Sequence, residues 1–252
     1  MTNNNSRNSP LPTGFSRLDT MLGGGLPRGV VTILTSQSSA AGKTSFATSI
    51  LCSTLHQPEI RSLIFFLEGS VRTLGIRMLS IEAGLDLRKI RTVSLSAKEF
   101  RCLQEAGERI RKGRVWIDAR SLSSVATMRA QIAQAFGDAF PDLLIIDSLN
   151  LMAVDGYGQI LADLKLLAHD SQAAILVVAH TLNKHLPEEM MARHAHTLLI
   201  LHRLQHESDA RLEIDQGTCT PRTILLSFSS PTGRFIEQEQ EFQPAYHETQ
   251  EP

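Results

Sequence analysis

Short, continuous apolar runs recur along the first 180 residues, at 30–34, 61–67, 115–118, 142–147 and 173–180. Runs of this length without polar alternation fit strands buried on both faces, as in a parallel sheet. The stretches between them space their apolar residues as helices do. Residues 46–55, 71–83 (Leu74, Met78, Ile81, with Gly84 as a stop), 97–112, 121–136 (Ser121 as N-cap) and 160–169 are therefore predicted helices. Ahead of the first strand, Phe15, Leu18, Met21 and Leu22 share one helical face, and the turn Gly23-Gly24-Gly25-Leu26-Pro27-Arg28-Gly29 ends it. From residue 196 the pattern changes to strands at 197–202, 211–215, 223–228 and 234–237.

Alternating βαβα predicts an α/β fold: a mainly parallel central sheet, helices on both faces, and extra C-terminal strands extending one edge. Residues 1–12 read as a disordered polar tail, 13–238 as one domain and 239–252 as a flexible tail. No internal repeat or linker divides the chain.

The chemistry concentrates where the first strand meets the first long helix. There Ser36-Gln37-Ser38-Ser39-Ala40-Ala41-Gly42-Lys43-Thr44-Ser45 carries no bulky side chain. Such a loop lets backbone N–H groups curl around phosphates, aided by the helix N-terminus behind it. Ser38, Ser39, Ala40, Ala41, Gly42, Lys43, Thr44 and Ser45 are the expected cradle. Lys43 would reach the β- and γ-phosphates of ATP, and the Thr44 hydroxyl would ligate Mg²⁺. Only the second half of G-x-x-x-x-G-K-[ST] is met, since Gln37 occupies the first glycine position; the plainer alternative is a chance Gly-Lys-Thr opening an ordinary helix.

Open α/β sheets bind ligands at the carboxyl ends of their strands, and Glu68, Asp147 and His180 all end apolar runs. Asp147 suits a second Mg²⁺ ligand, against the alternative of an Asp capping a turn. Glu68 either polarises the attacking water or marks a strand's exit to solvent. His180 is either a structural strand-end histidine or a contact that registers the γ-phosphate.

Other features are weaker. His194/His196 and His202/His206 lack the carboxylate or Cys partners of a metal site and read as strand-edge residues. Arg72, Arg77, Arg88, Lys89 and Arg91 cluster near one helix end, as solvated surface or an interface. Among Arg203, Arg211, Arg222 and Arg234, one is a possible arginine finger toward a neighbouring subunit.

Composition narrows the classes. The 252 residues are 42% hydrophobic and 20% charged, as in ordinary globular protein, and 25 Lys+Arg face 26 Asp+Glu. No overall basic excess signals nucleic acid, although a local basic channel is compatible with that balance. Cys52, Cys102 and Cys219 have no C-x-x-C spacing and read as reduced thiols. No apolar run approaches the roughly 18 residues of a membrane span, and the first ten residues lack a signal-peptide core, so the expected location is the cytoplasm.

The order of these motifs resembles the RecA-like ATPase domain of DnaB-type replicative DNA helicases, over about residues 13–235. The resemblance rests on Thr13-Gly14-Phe15 with Leu18-Asp19, Gly42-Lys43-Thr44, Phe66-Leu67-Glu68 with Ser70, and Arg77-Met78-Leu79. It continues through Ala83-Gly84-Leu85-Asp86-Leu87, Ile90-Arg91-Thr92, and Ile145-Ile146-Asp147-Ser148-Leu149-Asn150-Leu151-Met152. That family's phosphate loop also lacks the first glycine. The glycine-rich turn at 23–29, and His180 where the family usually has Gln, are closer to the KaiC and RadA branches of the RecA-like superfamily.

The resemblance implies Lys43 and Thr44 on phosphates and Mg²⁺, Glu68 as catalytic base and Asp147 as the Walker B acid. It also implies a homo-hexameric ring that hydrolyses ATP between subunits and moves along single-stranded DNA, with a full-length helicase, primase or loader as further partners. Two departures stand out. Asp215-Gln216-Gly217 aligns with a Lys-Gln-Arg segment supplying trans-acting cations, and the segment between His180 and Thr197, where DNA-contacting loops are expected, is short and offers only Lys184, His185 and Arg193. Nothing in this sequence corresponds to the family's helical N-terminal collar domain. The expected function is a DnaB-like helicase or translocase. The alternatives are a KaiC/RadA-like regulatory ATPase that does not unwind DNA, or a module that docks onto a helicase.

Overall fold

The computed structural model describes residues 9–122, 124–152, 156–180, 186–217 and 220–239. Nine strands form one sheet in the order β3-β2-β4-β5-β1-β6-β7-β8-β9. The parallel part comprises β1 (Val31–Thr35), β2 (Ser62–Phe66), β3 (Val115–Asp118), β4 (Leu143–Asp147), β5 (Ala174–Val178) and β6 (Thr197–His202). An antiparallel meander of β7 (Asp209–Asp215), β8 (Arg222–Ser229) and β9 (Arg234–Glu237) extends the β6 edge. β1, β2, β4 and β5 are buried at every position, as their unbroken apolar runs require.

Helices cover both faces. On one side α2 (Lys43–Ser53) and α3 (Val71–Ala83) contribute Phe46, Ile50, Leu74 and Met78 to a core. On the other, α6 (Val125–Phe136) and α7 (Tyr157–Ser171) contribute Met128, Ile132, Leu161 and Leu164. α1 (Ser16–Met21) buttresses the first face: Phe15 stacks on Phe46 with centroids 4.7 Å apart. Asp19 accepts hydrogen bonds from the Thr13 N–H (2.8 Å) and hydroxyl (2.7 Å), which gives the Thr13 to Asp19 motif a structural role. The Glu237 carboxylate accepts from the Arg17 and Leu18 N–H groups, so β9 supplies the N-terminal cap of α1.

The expected helices over 71–83 and 97–112 appear as α3 and α5 (Ala97–Lys112) with those bounds. α5 opens with a reciprocal Ser96/Glu99 capping box. Two short helices add to the expected set, α4 (Leu87–Thr92) and α8 (Glu188–His194); α4 buries no residue, so it has no apolar stripe to read. The helix expected from 121 begins later. Leu122 is drawn into the core, and Ser124, not Ser121, caps α6 by accepting the Thr127 N–H. Leu11, assigned to the tail by its polar neighbours, is 1% exposed and bridges Leu26 through both backbone groups. The packing of one apolar residue there outweighs the composition around it.

Candidate active site

The register of the parallel strands brings the candidate residues together. Phe66 of β2 lies level with Asp147 of β4, and Asp147 level with Val178 of β5. Val178 in turn pairs with Leu34 of β1, just before the phosphate loop. Glu68, Asp147, His180 and the 36–45 loop therefore meet at one end of the sheet, where its connections diverge.

The loop itself is a 3-10 turn, Ser39–Ala41, followed by Gly42 at φ +99° as N-cap of α2. The Ser38 hydroxyl accepts the Ala40 N–H. The Lys43 ammonium, 2% exposed as a residue, donates to the Ser36 hydroxyl at 2.6 Å and to the Ser38 carbonyl at 3.3 Å. Burial lowers its pKa to about 8, against the opposing pull of the Glu68 and Asp147 charges.

Asp147 is 1% exposed, and neither carboxylate oxygen has a hydrogen-bond partner. Burial, then the Glu68 charge, raise its pKa to about 6; the Thr44 side chain beside it offsets this only in part, without reaching hydrogen-bonding geometry. A buried, unpartnered carboxylate is costly. Two hard oxygens without donors, next to a threonine hydroxyl at a helix N-terminus, fit a divalent cation such as Mg²⁺. The structure brings Thr44 and Asp147, the two residues the sequence suggests for Mg²⁺, side by side.

Glu68 is held differently. Its Oε1 accepts the Ser148 hydroxyl at 2.7 Å and lies 2.8 Å from His180 Nε2. The bond to His180, partly opposed by burial and reinforced by Ser148, keeps Glu68 below its usual pKa. An ionised Glu68 accepts only, so the His180 tautomer facing it carries its proton on Nε2. The His180 backbone is fixed by Asn150, whose Oδ1 accepts the His180 N–H (2.7 Å) while its Nδ2 donates to the His180 carbonyl (3.2 Å). Ser148 and Asn150 lie in the segment quoted for the family resemblance, but a role for either becomes visible only when β2, β4 and β5 are side by side.

Arg77 departs from the reading as solvated surface. Its guanidinium turns inward from α3 to within 3.4 Å of the Ser45 hydroxyl, its Nε is buried without a partner, and burial lowers its pKa. Arg72, Arg88, Lys89 and Arg91 are exposed, and Lys89 pairs with Glu99 at 2.6 Å.

The finger candidates also separate. Arg203 is 8% exposed and tied to main-chain carbonyls, so it is not free to reach a neighbour. Arg222 donates to the Met21 carbonyl and to Gln216; Arg211 and Arg234 are exposed. In place of trans-acting cations, Asp215 accepts the Gly217 N–H at 2.7 Å and closes a turn with Gly217 at φ +71°. Lys184, His185 and Cys219 lie outside the described residues; Arg193 is exposed on α8. His202 pairs with Glu213 at 3.1 Å, and no group of three or more His, Cys, Asp or Glu side chains placed to hold a metal ion between them occurs among the described residues. Among them no helix is long and apolar enough to cross a membrane. Burial pushes the Cys52 thiol up, which keeps it inert.

Comparison with known proteins bears on the fold and the family. The model of the DnaB-like helicase C-terminal domain matches residues 10–194. The replicative DNA helicase DnaB of Geobacillus stearothermophilus is 26% identical over 178 residues, covering 67% of this chain and 39% of that protein. DnaB of Synechocystis sp. is 30% identical over 175 residues, 66% of this chain and 20% of that protein. The chain thus spans well under half the length of these relatives. Among solved structures, a DnaB-like replicative helicase, described with its interactions with primase, superposes with a TM-score of 0.78 at 17% identity, over 91% of this chain and 62% of that one. With the expected RecA-like architecture and a family model matched over most of its length, the chain belongs to the DnaB-like helicase C-terminal domain family.

Proposed function

We propose that residues 13–238 form the ATP-hydrolysing unit of a DnaB-type DNA helicase or translocase, acting in the cytoplasm on single-stranded DNA as a homo-oligomeric, hexameric ring. A full-length helicase, a primase or a loader is its proposed partner. The observation that carries this reading is the convergence of Lys43, Thr44, Glu68 and the unpartnered Asp147 carboxylate at the ends of adjacent parallel strands.

In this account the loop from Ser38 to Ser45 wraps the phosphates of ATP with backbone N–H groups, and Lys43 swings from Ser36 to the β- and γ-phosphates. Thr44 and Asp147 hold Mg²⁺, which supplies charge neutralisation for the phosphate oxygens when bound. Glu68, ionised and oriented by Ser148 and His180, aligns a water for attack on the γ-phosphorus and accepts its proton, while the bond from that phosphorus to the β,γ-bridging oxygen breaks and ADP leaves. Its low pKa makes it a weak base, which suits a loose transition state in which positioning outweighs proton abstraction. His180 touches Glu68 and so registers whether the γ-phosphate is present.

A second reading, a regulatory ATPase that turns over slowly without unwinding, is favoured by the turn at 215–217. That turn presents a carboxylate and a glycine where trans-acting cations are expected. Steady-state ATP hydrolysis with and without single-stranded DNA separates the two, at low salt because phosphate contacts weaken as salt rises. Severalfold or greater stimulation by DNA supports the translocase. A slow rate indifferent to DNA supports the regulatory reading.

A further inference from the structure

We infer that Arg203 is a positioning residue for the phosphate loop: its guanidinium orients the peptide units whose N–H groups receive the nucleotide's phosphates. This rests on the nucleotide-binding reading above and adds a residue 162 positions from Ala41 in sequence.

Arg203 follows β6, the strand beside β1. Its Nε donates to the Ala41 carbonyl at 2.9 Å and its Nη2 to the Ala40 carbonyl. Nη1 donates to the Leu204, Gln205 and Glu207 carbonyls of the β6–β7 turn, at 3.1, 3.3 and 2.8 Å. The fork lies 4.3 Å over the Phe228 ring. Every acceptor is a main-chain carbonyl, an unusual use for an arginine that is 8% exposed.

The choice of carbonyls gives the arrangement its meaning. A trans peptide is planar, with C=O and N–H on opposite sides. The Ala40 carbonyl shares its plane with the Ala41 N–H, and the Ala41 carbonyl with the Gly42 N–H. Drawing both carbonyls outward to Arg203 turns both N–H groups inward, to where phosphates bind. In this structure the Ala41 N–H meets the Ser38 carbonyl at a long 3.3 Å. A positive charge on the carbonyl side also polarises these peptides and strengthens them as donors. A loop built of Ser and Ala, lacking the first glycine of the usual pattern, gains its shape in part from this outside clamp.

The test is equilibrium binding of a fluorescent N-methylanthraniloyl ADP, with Mg²⁺, to wild type, Arg203→Ala, Arg203→Lys and Ile224→Ala. Ile224 is buried in β8 and is not a loop residue, so its truncation destabilises the domain while leaving the Arg203 hydrogen bonds to the loop carbonyls in place. Thermal melts of the nucleotide-free proteins run in parallel. Arg203→Ala is expected to weaken binding about 10- to 100-fold, the range seen when an orienting partner behind a ligand is removed. Arg203→Lys keeps the charge without the fork and is expected to fall in between. Ile224→Ala should lower the melting temperature and leave Kd within about twofold of wild type. If Arg203→Ala does not fold, Arg203→Lys carries the comparison. Arg203 variants binding like wild type overturn the inference, as does Ile224→Ala losing affinity in the same proportion to its lost stability. Absence of binding by wild type would instead remove the nucleotide reading itself.

Discussion

Nε2 of His180 lies 2.8 Å from Oε1 of Glu68, joining the ends of β5 and β2 across the intervening β4. From just past the end of β4, Ser148 donates to the same oxygen at 2.7 Å. Three strands thus fix one carboxylate, and its low pKa follows from two donors aimed at one atom.

Removing either donor should raise the Glu68 pKa, so the acid limb of the pH–rate profile moves to higher pH. His180→Ala is expected to cost about tenfold or more in kcat. His180→Gln, whose amide can still donate, should lie nearer wild type. A profile unchanged in both His180→Ala and Ser148→Ala would contradict this coupling.

Asp147 makes a stability prediction with a definite sign. Its pKa rises in the fold from an ordinary 3.8 to about 6. Between those values the folded protein binds more protons than the unfolded chain, so stability falls as pH rises through that window. Asp147→Asn removes the buried charge and should stabilise the nucleotide-free protein at pH 7 by about 1–3 kcal/mol, raising Tm by roughly 2–10 °C. The same variant should lose the extra stabilisation by nucleotide that Mg²⁺ confers on wild type and that a chelator removes. Scanning calorimetry reads both effects.

For Lys43 the expected dependence concerns affinity at higher pH. Burial holds its free-state pKa at about 8, and a bound polyphosphate would raise it. Nucleotide affinity should then be full below about pH 8 and fall above it, by at most tenfold per pH unit. Titrations at pH 7, 8 and 9 check this, and Lys43→Met should abolish the slope along with most of the affinity.

Gly42 is needed for its backbone. At φ +99° it caps α2, and an added Cβ would sit 3.0 Å from Phe235 Cζ. Gly42→Ala is therefore expected to cost about 1–3 kcal/mol in denaturant-unfolding stability and to weaken nucleotide binding.

Much of this is legible in the sequence because the chemistry sits next to strong patterns. The apolar runs ending at Leu67, Ile146 and Ala179 locate their strands, and a parallel sheet collects strand ends on one side. Lys43, Thr44, Glu68, Asp147 and His180 can be placed together on that logic alone. What escapes depends on register and long-range contact. Ser148 and Asn150 act only through neighbours on other strands. Arg77 reads as surface because its helix carries charges around it, yet it turns into the site. Arg203 is a finger candidate because charge is visible in sequence, whereas the carbonyls that consume it are not. The late start of α6 at Ser124 reflects burial of Leu122, a tertiary preference that overrides the nearer serine.

The central claim is that this chain hydrolyses ATP with Glu68 positioning the water and Lys43 holding the phosphates. Its most direct test is ATP turnover and nucleotide binding for wild type, Glu68→Gln and Lys43→Ala side by side. The expected result is turnover by wild type, retained binding with at least about a hundredfold loss of turnover in Glu68→Gln, and loss of binding in Lys43→Ala. Glu68→Gln hydrolysing ATP at the wild-type rate would contradict the account.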